Sequence, residues 1–99
     1  MTTYELMARY DARQSFYGKA KVIVLKNGDQ ALRSYDTIVA LIKDGQPIIR
    51  DLYSPTTTRH QKEFLKQNGF YVETRKDLEK LFPSSDKEFK EFIEIERQI

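Results

Sequence analysis

Cysteine is absent from this 99-residue chain, which excludes a disulfide scaffold, thiol catalysis and thiol redox chemistry, and fits a reducing compartment. Histidine occurs once, as His60, so a zinc site of the His-rich kind is excluded too. No stretch approaches the ~20 apolar residues that span a bilayer. The opening MTTYELMARYDAR lacks the apolar segment of a secretory signal, and a cytoplasmic protein with no membrane role is expected. The four glycines stand singly at 18, 28, 45 and 69 and form neither a phosphate loop nor a dinucleotide fingerprint. Internal repeats, low-complexity tracts and long linkers are missing. Charge of one sign is lacking as well: 17 basic and 15 acidic residues leave +2, too little to argue for nucleic acid by itself.

What is present is enough for one core, so residues 1–99 are expected to form a single domain. Six Phe and six Tyr supply large contact areas where aliphatic residues thin out toward the C-terminus. The charge is unevenly spread: residues 1–70 hold 11 basic and 7 acidic side chains, residues 71–99 hold 6 and 8. A polyanion would meet the basic front, although scattered solvated charges look the same.

Residues 1–14 have no clear period and read as a short strand, a helical turn or a flexible arm. Just after Lys19, the apolar, β-branched run AKVIVL (20–25) predicts a strand that stops at Asn27-Gly28, a dipeptide suited to a type I′ turn. A second strand runs through 30–35 and resumes over 38–42. Strict alternation would put Asp36 on the face of Ile38, Ala40 and Ile42, so a bulge or bend near 34–36 is expected. Asp44-Gly45 marks the next hairpin and 46–53 the third strand, with Pro47 near its start. Ser54 and Pro55 open a central helix, which Asn68-Gly69 ends. Residues 70–73 read as a fourth, short strand. Thr74 to Asp77 resembles a capping box before a short helix ending at Pro83, and Ser85 to Glu88 opens an amphipathic last helix over 85–99. On that helix Asp86–Lys90, Lys87–Glu91 and Lys90–Glu94 are spaced to pair, and core packing or partner docking explains its apolar stripe equally well. The expected fold is α+β: an antiparallel three-stranded meander, with a possible fourth strand, packed on one side by a central helix and two C-terminal helices.

No catalytic residue emerges. His60 falls at the border of the buried stripe of its helix, beside Thr57 and Phe64, and lacks the partners that a nucleophile or a metal would need. It reads as a structural, hydrogen-bonding histidine. The stretch 15–21, SFYGKAK, sets Phe16 and Tyr17 beside Lys19 and Lys21, with Arg33 and Tyr35 on the neighbouring strand. A base-stacking sheet face has this composition, and so does the end of an ordinary small core. Arg59, Lys62 and Lys66 make a basic stripe along the helix, with Glu63 the lone acid. It would suit a phosphate backbone or plain solvent. No preceding helix completes a helix-turn-helix.

SFYGKA (15–20), SYDTIVALI (34–42) and YSPTTTRHQKEFLKQNGF (53–70), in that order, resemble a family of small proteins from phages, plasmids and other mobile elements of Gram-positive bacteria. The resemblance covers residues 11–70 and brings no reaction, cofactor or catalytic residue with it. It implies a non-enzymatic accessory or regulatory protein in a bacterial cell, acting by binding a host or element-encoded protein. The alternative is a nucleic-acid-binding module using the basic sheet and helix surface. The binding residues expected under either are Phe16, Tyr17, Lys19, Lys21, Arg33, Tyr35, Arg59, His60, Lys62 and Lys66. Exposed sheet edges and an amphipathic last helix leave a homodimer open.

Overall fold

A computed structural model of the protein describes residues 1–12 and 16–98. Its elements are strands β1 (Thr2–Glu5), β2 (Ala20–Val24), β3 (Gln30–Ser34), β4 (Thr37–Lys43) and β5 (Gln46–Ile49), then helices α1 (Pro55–Gln67), α2 (Arg75–Glu79) and α3 (Asp86–Gln98). The class is α+β as expected. The sheet, however, has five strands in the order β1-β2-β3-β4-β5, all antiparallel, where the sequence pattern suggested three or four.

Two differences account for the count. The N-terminal segment enters the sheet as β1, pairing Tyr4 with Val22 and Glu5 with Lys21. The apolar run over 30–42 is two strands and not one, because Ser34 pairs with Thr37 across a two-residue turn at Tyr35-Asp36. That turn takes Asp36 out of the sheet and into solvent. The bulge exists, but further on: Leu32 pairs with Ala40 and Arg33 with Ile38, so Val39 is the extra residue. Val39 and Ala40 therefore both face the α1 side, while Ile38 and Leu41 face the other side. The expected strand over 70–73 is a loop, in which Val72 is buried and Phe70 half-buried against α1.

Turn chemistry follows the residues. At Asp44-Gly45 both φ angles are positive, 51° and 78°, as a type I′ hairpin requires. The β2–β3 connection differs from the type I′ expectation: the Gly28 N–H donates to the Leu25 carbonyl at 3.0 Å and the Leu25 N–H to the Asp29 carbonyl at 2.8 Å. Among its three residues only Gly28 is left-handed, with φ 91°, which is the type I turn plus glycine bulge of a three-residue loop.

Helices cover both faces of the sheet, not one. On the first face α1 and α2 bury Ala20, Val22, Leu32, Val39, Ala40 and Ile49 under Phe64, Leu65 and Leu78. Ser54 caps α1 by accepting from the Thr57 N–H, and the capping box Thr74/Asp77 starts α2. On the second face Phe92 of α3 is fully buried against Ile23, Ala31, Ile38, Leu41 and Ile48. The amphipathic stripe of the last helix is thus core. Its polar side is not laced by the three i,i+4 pairs read from the sequence, none of which forms. Glu91 pairs instead with Lys43 of β4 and Glu96 with Arg50. Glu96 also accepts the Ile38 N–H at 3.0 Å, and Arg50 lies over the Phe89 and Phe92 rings, 5.6 and 5.9 Å from their centroids.

The bulge is gripped from both sides. Gln61 of α1, fully buried, donates its amide to the carbonyls of Val39 (3.1 Å) and Asp51 (3.2 Å). From the opposite face Arg50 donates to the Ile38 carbonyl at 3.2 Å. The Val39 carbonyl also accepts the Arg50 backbone N–H at 3.1 Å, so main chain and side chains together satisfy the irregular backbone of the bulge.

Candidate binding surface at the sheet end

Two turns lie side by side at one end of the sheet. The Tyr35 N–H donates to the Lys19 carbonyl at 2.8 Å and the Lys19 N–H to the Phe16 carbonyl at 3.1 Å, which brings the Tyr17-Gly18 turn against the Tyr35-Asp36 turn. Tyr17 and Tyr35 both adopt left-handed backbone, φ 54° and 55°. Steric contact of Cβ with the following peptide makes this costly for a bulky residue, on the order of 1 kcal/mol each. Their rings stay in solvent, 79% and 47% exposed, so burial offsets little of that cost. The Lys19 ammonium sits 5.6 Å from the centre of the Tyr35 ring, a cation–π contact.

Under this patch lies His60, almost fully buried. Its ring meets Phe16 edge-on, with centroids 4.7 Å apart, and Tyr35 at 6.1 Å. Its Nδ1 is 2.7 Å from the Ser34 hydroxyl, which is 3.1 Å from that of Thr57. Desolvation by burial, then the neighbouring Arg59 charge, lower the imidazole pKa from 6.5 to about 4, so His60 is neutral at pH 7. A Ser–His hydrogen bond is the first half of a nucleophile–base pair. Here Ser34 and His60 are 3% and 1% exposed, which leaves a substrate no direct approach to either. Thr57 and His60 form with Ser34 a buried polar seam joining α1 to the end of β3, and Phe16 packs against it.

The ten expected binding residues divide accordingly. Tyr17, Lys19 and Tyr35 share the exposed patch, with Phe16 and His60 as its floor. Lys21 and Arg33 pair across β2 and β3 but project from the opposite sheet face, where Arg33 Nε donates to the Tyr35 carbonyl at 3.1 Å. Arg59, Lys62 and Lys66 line a separate cleft of about 270 Å³ together with Tyr10, Asp11 and Glu73. There the chain's own acids meet them: Arg59 lies 3.6 Å from Asp11 and Lys66 2.9 Å from Glu73, while Lys62 reaches the Glu73 carbonyl at 3.5 Å. The basic stripe of the sequence is largely balanced at this cleft. Of the stretch 15–21, Ser15 lies outside the described residues.

Glu63 is the residue that the sequence reading passed over. It is 2% exposed, and one carboxylate oxygen accepts the consecutive backbone N–H groups of Arg9, Tyr10 and Asp11 at 2.9, 2.7 and 3.0 Å. Gln67 donates to the other oxygen at 2.8 Å and to the Met7 carbonyl at 2.6 Å. Three successive N–H groups on one oxygen form an anion nest, here filled by the chain itself. A lone acid in a basic stripe, next to the buried Phe64, was the available signal. Among the described residues no cluster of His, Cys, Asp or Glu could hold a metal ion, and no helix is long and apolar enough to cross a membrane.

A family model matches residues 4–80, described as a family of unknown function, DUF8033. The chain belongs to that family. The matched span runs from β1 through α2, so the sheet-end patch, the His60 seam and the Glu63 nest all fall within the family's region, and α3 lies beyond it. No curated protein and no solved structure matches the chain.

Proposed function

We propose that this protein acts by binding and carries out no chemistry of its own: an accessory or regulatory protein of a phage or other mobile element that engages a host or element-encoded protein in the bacterial cytoplasm. The observation that carries the reading is the pair Tyr17 and Tyr35, held in left-handed backbone with rings in solvent. Strain of this kind is retained where it serves contact, and exposed tyrosines are a residue type enriched at interface centres. The polar seam beneath fixes the Tyr35 turn, so the patch is presented on a rigid base. Asparagine tolerates left-handed backbone better than tyrosine. The test is therefore a pull-down from host cells with the wild-type chain and with Tyr17→Asn/Tyr35→Asn. The reading expects a partner retained by the wild type and lost by the variant, at a melting temperature no lower than the wild type's; equal capture by both would refute it.

A second reading, nucleic-acid binding, is favoured by one feature: Lys19 and Lys21 join no ion pair among the described residues, and Lys19 stacks on an exposed aromatic. Labelled single-stranded DNA and RNA titrated at two salt concentrations separate the two readings. A steep salt slope supports the nucleic-acid reading, and no binding at low salt removes it.

A further inference from the structure

The two edges of the sheet are treated unequally. On β5 the outward positions are Pro47, which has no N–H, and Ile49, whose N–H donates to the Leu81 carbonyl at 2.8 Å. No donor is left free on that edge. On β1, the Leu6 N–H donates to the Ala20 carbonyl at 2.9 Å, and the register runs from there to Thr2 opposite Val24. Antiparallel pairing alternates, so Tyr4 and Thr2 face β2 while the N–H and carbonyl groups of Thr3 and Glu5 point away from the sheet. Those N–H groups have no partner among the described residues, and all four residues of β1 are exposed. The strand has no proline, lysine or bulge, and of the devices that blunt an edge it carries only its four-residue length and the charge of Glu5. Met1, Tyr4 and Met7 add apolar surface around it, 60%, 47% and 55% exposed.

We infer that β1 pairs with β1 of a second copy, antiparallel about a two-fold axis, joining two sheets into one of ten strands. Two-fold pairing must set outward groups against outward groups, which puts Thr3, Tyr4 or Glu5 opposite itself at the axis. Glu5 against Glu5 faces like charges. The Tyr4 register satisfies Thr3 and Glu5 of each copy with one another, sets Thr3 opposite the copy's Glu5, and places two half-exposed rings across the axis, a favoured cross-strand pair. A second copy is preferred to a foreign strand because the edge supplies its own complement in hydrogen bonding and aromatic contact, in a register that keeps the two Glu5 carboxylates from facing each other. The contact is small and predicts a weak dimer. It uses none of Tyr17, Lys19 or Tyr35, and so stands independently of the partner proposed above.

Sedimentation over about 1 µM to 1 mM should show mass rising toward twice the monomer. Thr3→Pro removes an N–H that β2 does not use, and should leave the fold and abolish the rise. Amide exchange on the unaltered chain gives a second reading: Thr3 and Glu5 become protected as concentration rises, whereas Tyr4 is protected throughout. Since the chain has no cysteine, Tyr4→Cys should cross-link under oxidation, because facing residues of a non-hydrogen-bonded antiparallel pair come within disulfide reach. A monomer at every concentration, a dimer untouched by Thr3→Pro, or a dimer without Tyr4→Cys cross-linking would each overturn the inference.

Discussion

At the scale of single residues, the buried polar groups of α1 decide how the protein responds to acid and to mutation. His60 is a base whose folded pKa, about 4, lies below its ordinary 6.5. The unfolded chain therefore takes up a proton that the folded one refuses between those values, and stability contributed by neutral His60 is full above about pH 6.5 and falls as the pH drops toward 4. At ~1.4 kcal/mol per pH unit the loss approaches ~3 kcal/mol at most. Thermal melts from pH 7 to 4 should show this decline, and His60→Gln should remove that component while costing stability at neutral pH. Glu63 acts differently, as the acceptor for the Arg9, Tyr10 and Asp11 N–H groups. Glu63→Ala strips these three charge-assisted bonds and the one from Gln67 at once and should cost about 2–4 kcal/mol. Hydrogen exchange should show protection lost first at residues 9–11, and unchanged protection there would contradict the role assigned to Glu63.

Elements show what a sequence reading can and cannot reach. Ser54-Pro55 at one end of α1 and Asn68-Gly69 at the other are local signals with local mechanisms, and the helix lies between them. The run over 30–42 is a different case. The misplaced Asp36 marks a bend near 34–36, and the turn is there; that it is a full two-residue hairpin was not legible, since tyrosine disfavours the left-handed backbone it adopts there and long-range contacts, Lys19 to Tyr35 and Ser34 to His60, hold it. The bulge at Val39 is likewise held by Gln61, Arg50 and Glu96 from distant elements, and pattern alone could place it only near its true position. In the candidate site, the aromatic-basic composition of 16–19 with Tyr35 was legible. The neutralising acids were not, because Asp11 and Glu73 reach Arg59 and Lys66 only in the folded chain. For α3 the sequence allowed core or docking, and five apolar residues on the second face of the sheet decide for core. Phe92→Ala should therefore cost about 3–5 kcal/mol, measurable by denaturant midpoint. A loss below ~1 kcal/mol would mean that α3 packs only loosely.

On the whole-molecule scale, three layers with a sheet between helices leave few surfaces free for work. Both sheet faces are covered, the β5 edge lacks a free donor, and the cleft along α1 carries its own counter-ions. A cleft of about 610 Å³ beside α3, lined among others by Leu25, Leu41, Lys43, Glu91 and Ile95, stays open, as do two further surfaces, the sheet end with Tyr17, Lys19 and Tyr35 and the β1 edge. These two surfaces answer to different perturbations, which gives the proposed function a test on the intact molecule. Electrostatic contact with a polyanion weakens steeply with salt, whereas burial of tyrosine rings in a protein partner responds weakly. If the sheet end binds protein, raising salt from roughly 50 to 200 mM should change the affinity of the recovered partner by less than about tenfold, while Tyr17→Asn/Tyr35→Asn weakens it by at least about tenfold, the hot-spot scale. Lys19→Ala should then matter less than the tyrosine changes, since Lys19 would act through the Tyr35 ring it covers. Titration calorimetry at the two salt concentrations checks both. A loss above about tenfold with salt and a dominant effect of Lys19→Ala would transfer the surface to nucleic acid.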